Sequence, residues 1–214
     1  MHRLLDKGLE QITTMVFKMG EAAEKALAIS IGGFVRGKDK SEDVHELSEI
    51  LVSLTGDVEE KAFELIAKYQ PVASDLRIIN SHMKIAYDFE RYGRYAWDIS
   101  FICKRLGGLS GCEDWIPQLI EDMSEKVLKM VRVSIDSLKT HNTELAKTIS
   151  KTEEEVDEMY FQFLDKLVEE AHATSQCTIS SVLIVRYLER IADHATYIAE
   201  AVVYIATGQK ITLR

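Results

Sequence analysis

The sequence predicts an all-α protein made of two tandem, pseudo-symmetric antiparallel three-helix bundles, with six long helices in total. Apolar residues recur every three or four positions along almost all of the 214 residues. Only two prolines and eleven glycines occur, too few for a turn-rich β architecture. The segment FERYGRYA at 89–96 also returns as LERIADHA at 188–195, 99 residues later, which indicates an internal duplication.

The first three-helix repeat is predicted to cover residues 1–106. Turn residues and apolar spacing divide it into helices at about 4–31, 41–69 and 75–106. Ser41 can cap the second helix, since its hydroxyl can accept a hydrogen bond from an unpaired backbone N–H. Pro71 disfavours helix at the residue before it, so we expect Ser74 or Asp75 to cap the third helix. Short turns make the unit antiparallel.

A glycine-rich linker at 107–113 separates the repeats, and the second three-helix repeat is predicted over 114–214. Its helices are predicted at about 114–141, 143–171 and 175–207. Gly208 follows the last helix, at a position where glycine commonly ends one. The same three-helix unit is therefore expected twice.

The charge balance indicates the kind of partner. The 35 acidic residues outnumber the 26 lysines and arginines, which gives a formal net charge of -9. Nucleic acid is not expected as the main partner, because a phosphate backbone requires a basic surface. An acidic surface suits cations or basic patches on other proteins.

The three cysteines, Cys103, Cys112 and Cys177, are too few and too scattered to predict a disulfide framework or a thiolate zinc site. A reducing cytoplasm is therefore the expected location. No signal peptide is apparent, because charged residues precede any apolar run at the start of the sequence. No segment has the roughly 20 apolar residues of a membrane-spanning helix, so a soluble protein is expected.

A polar stripe follows the predicted last helix, about 130° from the centre of its apolar face. It is expected to face away from the core of its own repeat and to be available to solvent or a ligand. It consists of Glu189, Asp193, Thr196 and Glu200. Like charges at i and i+4 repel, so folding alone does not require two acids there. A hard cation reverses that repulsion, because it prefers closely placed carboxylate oxygens. Glu153 and Asp157 form a similar pair on the preceding helix, and antiparallel packing can join the two pairs into a four-carboxylate site.

An ordinary solvated face is the alternative interpretation of this stripe. A chain with 35 acidic residues contains acidic pairs at i and i+4 by chance. Arg186 and Arg190 are also close enough in sequence to neutralise Glu189 and Asp193. Spacing alone therefore leaves both metal binding and a plain charged surface open.

The first repeat carries a changed version of the stripe. Its aligned residues are Glu90, Arg94, Trp97 and Phe101. Arg94 is expected to form a salt bridge with Glu90, and the aromatic residues suit a packed surface better than a hydrated metal site. The aligned pair on the second helix is Thr55 and Glu59, which again lacks one acid. One metal-competent surface is therefore predicted, in the second repeat, with Glu200, Glu90 and Glu59 as weaker candidates.

Three segments with distinctive sequences lie within the duplicated layout: YQPVASDLR at 69–77, EEEVDE at 153–158 and LERIADHA at 188–195. The last is followed by IAE at 198–200. In this order, and in a chain of this length, they closely resemble the PhoU family of phosphate-uptake regulators. The resemblance covers essentially the whole chain.

The resemblance implies a cytoplasmic, non-enzymatic regulator that restrains phosphate uptake and phosphate-starvation signalling. Its implied partners are the ATPase subunit of an ABC-type phosphate importer and a membrane sensor histidine kinase, and it would reach the membrane only through them. A homodimer is expected. Family members bind metal, often iron or zinc, with manganese and magnesium as alternatives here. Carried over by position, the implied ligands are Glu153, Asp157, Glu189 and Asp193.

Two residues depart from the family's pattern. Arg94 replaces the aspartate of the first repeat, which counts against a metal site there. Tyr197 replaces the usual asparagine near the second site and changes its rim. These departures weaken the metal prediction more than the regulatory one, because a regulator that has lost one site can still bind its partners.

A ferritin-like di-iron enzyme is the alternative function. Glu42 and His45, like Glu169 and His172, have the Glu-x-x-His spacing of such proteins, but they lie near helix ends and not in the middle of a bundle. No glycine-rich phosphate loop, nucleophile elbow or Cys/His catalytic pair is found in the sequence. A non-enzymatic role is therefore preferred.

Three large aromatic residues occur near the end of the third helix and the linker: Trp97, Phe101 and Trp115. Packing in the core is the ordinary interpretation of such residues. If they are exposed, we expect them to form a partner or dimer surface.

Overall fold

The computed structural model describes residues 4–170 and 176–213, and these residues contain helices but no strand. Along the chain follow α1 (Leu4–Val35), α2 (Ser41–Tyr69), α3 (Ala73–Leu106), α4 (Trp115–Thr140), α5 (Thr143–Lys147), α6 (Ile149–Glu170) and α7 (Gln176–Thr207). The prediction of an all-α protein with six long helices is confirmed, and α5 adds one short helix. No helix in the described ranges is both long and apolar enough to cross a bilayer.

Each repeat forms its own bundle. Helices α1, α2 and α3 pack against one another, and α4, α6 and α7 do the same. The bundles also touch each other, because α3 packs against α7 and α1 packs against α4. The buried apolar residues therefore form one continuous core, whose largest side chains include Phe34, Phe89, Tyr92 and Phe163.

Several helix boundaries differ from those predicted. Ser41 is the first residue of α2 and does not cap it; the Asp39 carboxylate instead accepts a hydrogen bond from the Ser41 backbone N–H at 2.8 Å. α3 begins at Ala73, before both expected caps, and has no side-chain cap. The helix predicted over 143–171 is divided at Thr148, whose hydroxyl bonds back to a backbone carbonyl.

The linker at 107–113 requires glycine for two different reasons. Gly107 and Gly111 have φ angles of 85° and 77°, which residues with a Cβ rarely adopt. Gly108 lies against the end of α1, where a Cβ would be 2.4 Å from the carbonyl oxygen of Phe34. The linker is therefore packed onto the first repeat.

Two of the three cysteines form a disulfide that their spacing in the sequence does not indicate. The sulfur atoms of Cys112 and Cys177 are bonded, which joins the linker to the start of α7. These residues are 65 positions apart in sequence, but the fold brings their Cα atoms to 5.5 Å, a distance that a disulfide spans. No disulfide framework of several bonds results, since Cys103 is buried and free. Cysteine usage therefore no longer supports a reducing compartment.

Gly108→Ala is expected to destabilise the fold by about 1–3 kcal/mol, the usual cost of overpacking a filled site. The contacting atom is a backbone oxygen, so the clash with the new methyl group cannot be relieved by rotation of a side chain. Ser110→Ala, at an exposed position of the same linker, is the matched control and should change little. Urea unfolding followed by circular dichroism measures both free energies. Equal stability of the two variants would contradict the packing of the linker on α1.

Candidate metal centre

The predicted ligands lie on two helices that pack against each other, α6 and α7. Glu153 and Asp157 are one turn apart on α6, and Glu189 and Asp193 are one turn apart on α7. The negative charges of Asp193 and Asp157 both act on Glu189. Glu153 is buried on α6, with 5% of its surface exposed.

The acidic stripe of α7 is more buried than the sequence predicted. Asp193 is 4% exposed, Thr196 is fully buried, and the side chain of Glu189 is 12% exposed. The expectation that this stripe is available to solvent is wrong, because it rested on the orientation of α7 within the second repeat alone. In the molecule α7 also packs against α3 of the first repeat, which narrows its exposed face.

Two arginines neutralise the acidic pair of α7. Arg186 donates to Glu189 Oε2 at 2.7 Å, and Arg190 donates to Asp193 Oδ2 at 2.5 Å. Each of these carboxylates therefore has a cationic partner already. Among residues 4–170 and 176–213, no group of three or more acidic, histidine or cysteine side chains is arranged to hold a metal ion as it stands.

The chemistry of the cluster nevertheless suits an added cation. Burial raises the pKa of Glu189, and repulsion from Asp193 and Asp157 raises it further, while the two arginines oppose this effect. A carboxyl whose negative charge is disfavoured gains from additional positive charge. The side chains of Arg186 and Arg190 are 48% and 33% exposed, and Arg186 also lies 5.7 Å from the centroid of the Tyr160 ring. Carboxylate oxygens suit iron, manganese and magnesium, and zinc also accepts them.

The weaker candidates for metal ligands either bond to other groups or are exposed to solvent. Glu90 forms the expected salt bridge with Arg94, at 3.1 Å. Glu59 is exposed on α2. Glu200 accepts a hydrogen bond from the backbone N–H of Leu213 at 2.9 Å, which links it to the C-terminal segment.

A buried pair between the repeats was missed by sequence reasoning. Asp88 of α3 and His194 of α7 are hydrogen-bonded at 2.8 Å and are 6% and 5% exposed. Burial raises the pKa of Asp88, and the bond to His194 opposes that rise. The two residues are 106 positions apart, so no local spacing identifies them as partners.

The predicted aromatic surface is divided between two places. Trp97 and Phe101 are 36% and 46% exposed on α3, with ring centroids 6.1 Å apart. Trp115 packs against Phe163 of α6, at 5.6 Å between centroids, and so belongs to the second repeat. Only the first two residues share a surface.

The first Glu-x-x-His element, Glu42 and His45, does not provide an inward-facing di-iron site. Glu42 and His45 are exposed at the start of α2, where His45 lies 4.0 Å from Glu49. The ligands of a ferritin-like centre project into the bundle. His172 lies outside the described residues.

Comparison with known proteins shows the family. The family model described as PhoU domain matches the chain twice, over residues 16–102 and 120–202. The chain belongs to the PhoU family. The internal duplication is confirmed, because each match covers one copy of the repeated segment.

Relatives of the PhoU family match over nearly their whole length. The phosphate-specific transport system accessory protein PhoU homolog of Clostridium acetobutylicum is 30% identical, across 99% of this chain and 98% of that protein. The homolog of Rhizobium meliloti is 31% identical, across 95% of this chain and 87% of that protein. The crystal structure of PhoU from Pseudomonas aeruginosa has a TM-score of 0.87 at 25% identity, covering 95% of this chain and 99% of that one.

Glu189→Gln is expected to raise the melting temperature of the metal-free protein by about 1 °C at neutral pH. One like-charged pair at i and i+4 costs a few tenths of a kcal/mol, and about 1 kcal/mol shifts Tm by roughly 2–4 °C at this chain length. Because the native pKa of Glu189 is raised, ionisation of this carboxyl lowers the free energy of unfolding as the pH rises. The gain should therefore vanish below a pH of about 4, near the unfolded pKa.

Glu90→Gln is the matched control for this change. Glu90 occupies the aligned position but is paired with Arg94, so its replacement should leave Tm unchanged or lower it. Calorimetry with a chelator, from about pH 4 to about pH 8, compares the two variants. A lower Tm for Glu189→Gln at neutral pH would show that the charge of Glu189 stabilises the fold.

Proposed function

We propose that this chain is an accessory regulator of a phosphate-specific transport system, which acts in the cytoplasm by binding and not by catalysis. It restrains phosphate uptake and phosphate-starvation signalling. The observation that carries this proposal is the pair of PhoU domains that spans most of the chain. Relatives that match over nearly full length are named as accessory proteins of such a system.

The proposed partners are the ATPase subunit of an ABC-type phosphate importer and a phosphate sensor histidine kinase. The formal net charge of -9 supports association with basic protein surfaces and not with nucleic acid. The protein reaches the membrane only through these partners. A homodimer is the proposed assembly, since two-fold dimers are the commonest closed oligomers.

Deletion of this protein from its cells should raise phosphate uptake and switch on starvation genes in phosphate-rich medium, because both restraints are lost. Uptake of labelled phosphate and a starvation-promoter reporter measure the two effects. Re-expression of the intact chain is the control and should restore both. Unchanged uptake and reporter activity would refute the regulatory role. A pull-down from phosphate-replete cells then shows whether the ATPase subunit or the kinase is bound.

A metal ion is the proposed cofactor, iron or zinc first, with manganese and magnesium as alternatives. The proposed ligands are Glu153, Asp157, Glu189 and Asp193. The raised pKa of Glu189 supports this assignment, because a bound cation would offset the repulsion among these carboxylates. Binding requires Arg186 and Arg190 to release the pair on α7.

Arg186→Gln should strengthen metal binding, because it removes a cation that competes for Glu189. Glu189→Gln should weaken binding about tenfold or more, as expected for the loss of at least about 1.4 kcal/mol with one charged ligand. Glu90→Gln, at the aligned position of the first repeat, is the matched control and should have no effect. Calorimetric titration with manganese, zinc and anaerobic ferrous iron measures affinity and stoichiometry.

Two outcomes of this titration would contradict the assignment. Equal weakening by Glu90→Gln and Glu189→Gln would mean that both repeats bind metal. Metal that survives Glu189→Gln but is lost in His45→Ala would favour the ferritin-like alternative.

A further inference from the structure

An open groove of about 820 Å³ runs between α2 and α3 of the first repeat. Its lining comes entirely from these two helices. The apolar part consists of Ile50, Trp97 and Phe101, and the acidic part consists of Glu42, Glu46 and Glu49. We call this surface the α2–α3 groove.

The aromatic residues of the α2–α3 groove lie against one another although they are exposed. The Trp97 ring lies 6.1 Å from that of Phe101 and meets the His45 ring edge-on at 4.9 Å. Ile50 beside them is 43% exposed. Neighbouring large apolar side chains that remain in contact with water are typical of a binding surface.

The second repeat shows what the same face looks like when it is covered. Thr196 and Glu200 stand at the positions of Trp97 and Phe101. Thr196 is fully buried, and Glu200 accepts the backbone N–H of Leu213. Glu200, at the position of Phe101, is thus contacted by the chain's own C-terminal segment. No equivalent segment lines the α2–α3 groove within the described part of the chain, so the groove is open to another molecule.

The charge of the α2–α3 groove selects the occupant. Its three glutamates follow at steps of four and three along α2 and are exposed. Lys104 contributes one positive charge to the lining and lies 3.7 Å from Asp39. A segment rich in lysine or arginine is attracted to such a surface. A second copy of this chain, with a formal net charge of -9, is a poorer match.

The length of the α2–α3 groove suits a helix. Its lining residues on α2 extend from Ser41 to Ser53, a distance of about 18 Å at a rise of roughly 1.5 Å per residue. This length corresponds to about three helical turns. A helix bound in a groove of this kind presents apolar anchors at i, i+3 or i+4, and i+7.

We propose that the α2–α3 groove binds a basic amphipathic helix of a partner protein. The apolar face of that helix contacts Ile50, Trp97 and Phe101, and its lysines or arginines pair with the three glutamates. This proposal depends on the proposed regulatory function only because it requires a partner protein. It specifies where that partner binds and which residue types form the contact.

Two synthetic helical peptides of about 14 residues, roughly four turns, test the proposal. Both carry leucines along one face, and the remaining positions are lysines in one and glutamates in the other. Trp115→Phe removes the second of the two tryptophans, so that fluorescence reports on Trp97 alone. The basic peptide should shift the emission to shorter wavelength and bind at least tenfold more tightly than the acidic one.

Matched variants separate the groove from the rest of the surface. Glu46→Lys and Phe101→Ser should each weaken binding of the basic peptide about tenfold, the equivalent of about 1.4 kcal/mol. Glu60→Lys makes the same charge change at an exposed position of α2 outside the groove, and Phe161→Ser removes an exposed aromatic of α6. Neither control should alter binding. Circular dichroism checks that every variant keeps its helices.

Several results would overturn the proposal. Equal affinity for both peptides, or unchanged binding by Glu46→Lys and Phe101→Ser, would remove the groove as a basic-helix site. A dimer that becomes monomeric in Phe101→Ser, seen by sedimentation, would instead make the groove a contact between copies. Peptide binding that persists while deletion leaves phosphate uptake unchanged would refute the proposed function but not the groove.

Discussion

The packing of α3 against α7 holds the two bundles together, and it contains the buried hydrogen bond between Asp88 and His194. Aromatic rings surround this bond, with Tyr95 at 5.8 Å from both His194 and Tyr187. A buried carboxylate without its partner is strongly unfavourable. The pair therefore ties together two helices that are equivalent copies of the same element.

This contact also determines the setting of the acidic cluster. His194 follows Asp193 directly on α7 and bonds to Asp88 of α3, while Glu189, one turn before Asp193, lies close enough to α6 to be affected by the charge of Asp157. Asp193 is buried, the charges of Asp193 and Asp157 repel that of Glu189, and Arg186 and Arg190 offset part of that repulsion. The repeat interface and the candidate metal centre thus depend on the same turn of helix.

Local sequence patterns predicted the helices, whereas features that depend on long-range contacts were not predicted. Apolar spacing predicted the six long helices, and the i,i+4 spacing predicted the Glu90–Arg94 salt bridge, because both depend on neighbours in sequence. The burial of Asp193 depends on packing between the repeats, and the residue pattern of a single helix carries no information about that packing. The partners Asp88 and His194, and the bond between Cys112 and Cys177, join residues that only the tertiary fold brings together.

The bond between Cys112 and Cys177 makes the two halves topologically unlike. The chain between them becomes a closed ring that contains α4, α5 and α6. The first repeat has no such closure, since Cys103 is free. A single peptide cut inside the ring leaves every piece covalently attached, whereas a cut in α1, α2 or α3 divides the chain in two. Duplicated sequence has therefore produced one half without a covalent ring and one half in which three of the helices lie inside a ring.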